Sequence, residues 1–105
     1  MRFVETPIFT KALRKLLPDD DYRSLQLALA LRPEQGPIIK GSGGLRKVRW
    51  GRGSRGKSGG VRVIYFWEQP RQLFYMVFAY AKNEQEDLTP DQLRILSRLV
   101  REELK

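Results

Sequence analysis

The 105-residue sequence contains no cysteine and no histidine. Lack of cysteine excludes disulfides and thiolate chemistry and fits a reducing compartment. With histidine missing as well, zinc sites of the usual kinds are excluded. Acid–base chemistry has only lysine, arginine, tyrosine, aspartate and glutamate to draw on. Long hydrophobic runs are missing too. Nothing approaches the ~20 apolar residues that span a bilayer, and MRFVETPIF at the N-terminus lacks the apolar region of a secretory signal. Acid is missing from one long stretch. Between Lys40 and Trp67 stand eight cations (Lys40, Arg46, Lys47, Arg49, Arg52, Arg55, Lys57 and Arg62) and no Asp or Glu. The chain carries 20 Lys+Arg against 12 Asp+Glu, a net charge of +8. The remainder is therefore balanced, and the whole imbalance lies in that stretch. Such a concentration of charge points to nucleic acid, an anionic membrane or an acidic protein as partner.

What is present is enough for a small core. Hydrophobic residues make up 41% of the chain, and the length predicts one domain over residues 1–105. No internal repeat and no dividing linker is visible. Arg2–Glu5 reads as a short strand, ended by Thr6-Pro7, a helix cap followed by proline in the first helical position. Ile8, Phe9, Ala12, Leu13, Leu16 and Leu17 recur at helical spacing as far as Pro18. Asp19, Asp20 and Asp21 predict a cap and a negative first turn for a second helix. It carries Tyr22, Leu25, Leu29 and Leu31, ends near Arg32, and forms a hairpin with the first.

Three β-type runs follow: Leu45–Trp50, Val61–Trp67 and Gln72–Ala81. The last two are nearly continuous in β-branched and aromatic residues, as central strands covered on both faces require. Short connections predict an antiparallel meander. The connection GRGSRGKSGG holds only Gly, Ser and cations, and predicts a positive finger without a core of its own, suited to gripping a polyanion. Lys82–Asp87 is a polar exit. Thr89-Pro90-Asp91 then starts a last amphipathic helix through Leu93, Leu96, Leu99 and Leu104. The order β-α-α-β-β-β-α predicts an α+β fold: a small, twisted, mainly antiparallel sheet with helices packed on it.

Three motifs stand in order along these elements: Gly43-Gly44-Leu45-Arg46-Lys47-Val48-Arg49, Gly59-Gly60-Val61-Arg62-Val63-Ile64-Tyr65, and Tyr80-Ala81-Lys82-Asn83-Glu84 followed by Asp87-Leu88-Thr89. In combination they resemble the RelE/ParE superfamily, and within it the HigB-like toxins of bacterial toxin–antitoxin pairs. The resemblance covers nearly the whole chain. It implies a cytoplasmic, ribosome-dependent mRNA endonuclease that works in the ribosomal A site without metal or cofactor. It also implies a cognate antitoxin, a small helix-turn-helix protein, with operator DNA bound only through the toxin–antitoxin complex. No membrane partner is implied.

The same resemblance places an active-site arginine at Arg62, whose planar fork suits a phosphate on which charge develops. An arginine in the otherwise apolar run Val61–Trp67 needs a partner or a pocket. Lys47 and Arg49 alternate along one strand and so share a face; they either take part in the chemistry or contact phosphate only. Lys57 precedes Ser58-Gly59-Gly60, where backbone can approach an anion closely. It is a catalytic base or one of several electrostatic contacts with Arg52 and Arg55; Arg46 and Asn83 are further expected RNA contacts. Tyr80 and Lys82 share a face, and Tyr80 either meets a base or proton acceptor or is a core aromatic. Asn83 stands where the founding ribonucleases carry arginine, and Thr89 where they carry tyrosine, which leaves the general acid open. Two other functions fit the same cations: a ParE-like gyrase inhibitor, whose relatives lack this basic set, and a non-enzymatic RNA- or ribosome-binding module.

Overall fold

The computed structural model describes residues 1–51 and 60–104. In chain order these form β1 (Arg2–Glu5), α1 (Pro7–Leu16), α2 (Asp19–Leu31), β2 (Arg46–Trp50), β3 (Val61–Glu68), β4 (Leu73–Ala81) and α3 (Pro90–Leu99), which runs into a π-helical turn over Val100–Leu104. The strands make one sheet in the order β1-β4-β3-β2. β2, β3 and β4 are the antiparallel meander, and β1 joins parallel to β4. The two most apolar strands are therefore the central ones, and helices cover both faces. Among the described residues no helix is long and apolar enough to cross a membrane.

Local chemistry explains where the helices begin. Thr6 Oγ1 accepts from the Phe9 amide at 3.0 Å and donates to the Val77 carbonyl at 3.1 Å. It thus caps α1 and ties the β1–α1 corner to β4. Thr89 and Gln92 form a reciprocal capping box at the start of α3. α2 departs from expectation. Pro18 occupies its cap position with no side-chain cap, and all three aspartates lie inside the first turn. Their contribution is charge against the helix dipole rather than a cap bond.

The core has two parts, one on each face of the sheet. On the first, Phe9, Leu13, Leu25 and Leu29 from α1 and α2 pack on Val48, Val63, Tyr65, Phe74 and Met76, with Trp50 and Trp67 at its margin. On the second, Leu96, Leu99 and Val100 cover Leu45, Ile64, Phe66 and Val77. Full burial of side chains this size is worth about 1.5–3 kcal/mol each, so both faces are tightly specified.

β4 is irregular at one point. Ile64 pairs with Phe78 but Tyr65 with Met76, which leaves Val77 as an extra residue. Before this bulge, Phe74 and Met76 face α1 and α2; after it, Ala79 does, and Phe78 and Tyr80 face the α3 side. A bulge shifts the alternation by one residue and so moves every later side chain to the other face.

Candidate active site

α3 covers only part of its face of the sheet. Beyond its reach, neighbouring strands bring Arg49, Arg62 and Tyr80 side by side: Arg62 pairs with Arg49 on β2 and with Tyr80 on β4. Lys47, two residues before Arg49, shares their side of β2. Lys82 follows at the end of β4, where its amide donates to the Gly60 carbonyl at 3.2 Å. Gly60 admits no side chain, because a Cβ there would collide with the Trp50 carbonyl oxygen. The resulting pocket, about 210 Å³, is lined by Lys47, Arg49, Arg62, Lys82, Glu86 and Asp87.

Charge within the pocket is unbalanced, since among the described residues four cations line it with two carboxylates. Arg62 is only 5% exposed, yet its Nη1 has no hydrogen-bond partner among the described residues. A guanidinium cannot shed its proton, and a buried unmet donor costs about 1–3 kcal/mol or more when charged. The Tyr80 hydroxyl, equally buried, is likewise without a partner among them. Burial pushes its pKa up, the Asp87 charge adds to this, and Arg62 opposes it. Tyr80 is thus held as a neutral phenol, a donor rather than a base.

Asp87 supplies the principal counter-charge. Lys47 Nζ donates to its Oδ1 at 2.6 Å. That hydrogen bond, and then the Lys47 charge, hold the Asp87 carboxyl below the usual carboxylate range, with Arg62 contributing in the same direction.

Lys47, Arg49, Arg62 and Lys82 therefore line one pocket, and Tyr80 stands beside Arg62 on the neighbouring strand without lining it. Two other candidates do not join them. Arg46 points to the opposite side of β2, where its guanidinium donates to the Glu34 and Gly36 carbonyls at 3.1 and 2.9 Å and to the Glu34 carboxylate at 3.2 Å. Asn83 is exposed in the turn after β4 and does not line the pocket. Arg52, Arg55, Lys57 and the finger that carries them lie outside the described residues. Sequence reasoning missed Glu86 and Asp87, which it treated as a polar exit. The signal available was the acid-free stretch itself, since so many cations at one site draw a carboxylate from elsewhere in the chain.

A mixed sheet flanked by helices, with strand-borne cations around a guanidinium whose Nη1 has no partner among the described residues, defines a small α+β protein with a basic pocket. A family model for the RelE toxin of the RelE/RelB toxin–antitoxin system matches residues 1–105, and the chain belongs to that family. It is thus a RelE/ParE-superfamily toxin, and its partner is an antitoxin.

Proposed function

We propose that this toxin is a HigB-like, ribosome-dependent mRNA endonuclease, with residues 1–105 acting as one toxin domain in the bacterial cytoplasm. The observation that carries the reading is the buried Arg62 guanidinium, whose Nη1 is unpartnered among the described residues, in a pocket where the cations described outnumber the carboxylates. An RNA phosphate would satisfy both. The reaction is in-line attack of a ribose 2′-hydroxyl on the adjacent phosphorus. The bond from phosphorus to the 5′-oxygen breaks, leaving a 2′,3′-cyclic phosphate and a 5′-hydroxyl. Arg62, Arg49 and Lys47 stabilise the charge that grows on the phosphorane. With no histidine in the chain, proton movement falls to Tyr80 as donor and to lysine, Lys47 and Lys82 at the pocket or Lys57 of the basic stretch. Alignment of the strand supplies the rest of the rate, and the ribosome provides it by presenting a codon in the A site. The antitoxin is a helix-turn-helix protein, and operator DNA is reached only through the complex.

The test separates cutting from binding. Arg62→Ala should lower cleavage of programmed ribosomes, read by primer extension, by about 100- to 1000-fold. Ribosome co-sedimentation should stay within several-fold, since one cation among many adds little to association. Cutting at the wild-type rate would remove Arg62 from the site. A wild type that binds ribosomes and cuts nothing would leave a non-enzymatic binder.

A further inference from the structure

Asp87 lines the same pocket as Arg62. Its carboxylate comes from the segment between β4 and α3, and it meets Lys47 of β2 across the pocket, 40 residues away in sequence, at 2.6 Å. This contact does little for stability. The Asp87 side chain is 73% exposed and that of Lys47 28%, and ion pairs so open to water contribute little. Meanwhile the deeper donor in the same pocket, Nη1 of Arg62, stays unpartnered among the described residues. The Asp87 carboxylate is thus committed to the more accessible cation, and the buried one is left vacant. A phosphate seated against Arg62 would face that carboxylate as a like charge in a space of about 210 Å³, and the two would compete for the charge of Lys47.

We propose that Asp87 is a selectivity-determining residue: its carboxylate occupies Lys47 as a built-in substitute for phosphate, and is displaced only by an anion that engages Arg62 and Lys47 together. A free anion has only the pocket's own contacts with which to displace the carboxylate. A phosphate within an RNA strand arrives already anchored through its neighbours, so its local concentration at the pocket is high and displacement follows. Lys47 then turns to the phosphate, and Asp87 is released to solvent. The device favours polymer over mononucleotide without any contact to a base.

This rests on the reading that the pocket takes an RNA phosphate, but the test requires no RNA to be cut. Inorganic phosphate is titrated at constant ionic strength into the folded protein, and binding is followed by NMR at the Arg62 side chain and the β3 amides. Thermal melting checks each variant. Asp87→Asn should bind phosphate about fivefold more tightly, the value of one open ion pair released. Glu86→Gln removes the same charge from the same pocket without freeing Lys47, and should change affinity by less than about twofold, the difference expected for a mere change of field. Asp87→Glu, which keeps the carboxylate, should stay near wild type. In a Lys47→Met background, adding Asp87→Asn should have little further effect, because the residue acts through Lys47. Equal tightening by Asp87→Asn and Glu86→Gln would overturn the proposal, as would unchanged or weaker binding by Asp87→Asn, or no phosphate binding by any variant. Phosphate affinities that follow the expected order, from a wild type that cuts no message, would retire the endonuclease reading and leave this one standing.

Discussion

At the scale of single residues, the site is assembled from groups that folding leaves unsatisfied. A buried arginine and a buried phenol without partners among the described residues each cost stability; Arg62 lines the basic pocket and Tyr80 is its neighbour on β4. Tyr80 allows that cost to be separated from any role in the reaction. Tyr80→Phe removes a hydroxyl that bonds to nothing within the described protein, so stability should be unchanged or should rise by up to about 1 kcal/mol. If Tyr80 is the proton donor, cleavage on programmed ribosomes should nonetheless fall by about 100-fold or more. Urea denaturation beside primer extension reads both quantities. A variant that is destabilised by more than about 1 kcal/mol while cutting normally would make Tyr80 a core residue only.

At the scale of elements, the segment between α2 and β2 backs the strand that carries Lys47 and Arg49. It is held from beneath by the buried Tyr65, whose hydroxyl donates to the Pro33 carbonyl at 2.8 Å and accepts from the Gly36 amide at 3.1 Å. Gly36 itself has no room to grow: a Cβ would lie 2.9 Å from the Lys47 carbonyl oxygen and 3.1 Å from the Tyr65 ring. Arg46 fastens the same segment from β2. Its placement explains why a cation next to Lys47 in sequence is absent from the pocket. Tyr65→Phe should strand the buried Gly36 amide and cost about 1–3 kcal/mol in urea denaturation. The half-buried Tyr75→Phe should cost about 0.5 kcal/mol or less. Equal effects would mean that Tyr65 acts through its ring alone.

Across the whole molecule, the decisive quantity is the distribution of charge. Eight cations without a single acid between Lys40 and Trp67 would make the proposed association with RNA or ribosomes an exchange of counterions. If about five of them engage single-stranded RNA, affinity should fall roughly 100-fold between 50 and 200 mM salt. Co-sedimentation across that range checks this, and a flat response would show that the basic stretch is not the grip. Expression without the antitoxin should arrest growth and translation, and co-expression should relieve both. Normal growth with folded protein present would argue against translation as the target.

Much of this was determined by local sequence. Caps at Thr6 and Thr89, prolines at Pro7, Pro18 and Pro90, and helical or alternating periodicity act over a few residues, so they set the elements, their order and the antiparallel meander. The same alternation puts Lys47 with Arg49 and separates both from Arg46. Isolation of Arg62 in an apolar strand marked it as needing a partner. Other features depended on contacts between distant segments, and no local pattern encodes those. Parallel docking of β1 on β4 is one. The single extra residue at Val77, which turns Tyr80 toward Arg62 rather than toward α1 and α2, is another. Alternation counted from Phe74 gives the wrong face for Tyr80, because a bulge reflects the fit of two sheet faces rather than the preference of any residue. The capture of Lys47 by Asp87 is the third. Attraction between opposite charges depends on distance in space, and only the packing of α3 against β3 and β4 brings those two groups, 40 residues apart, within 2.6 Å.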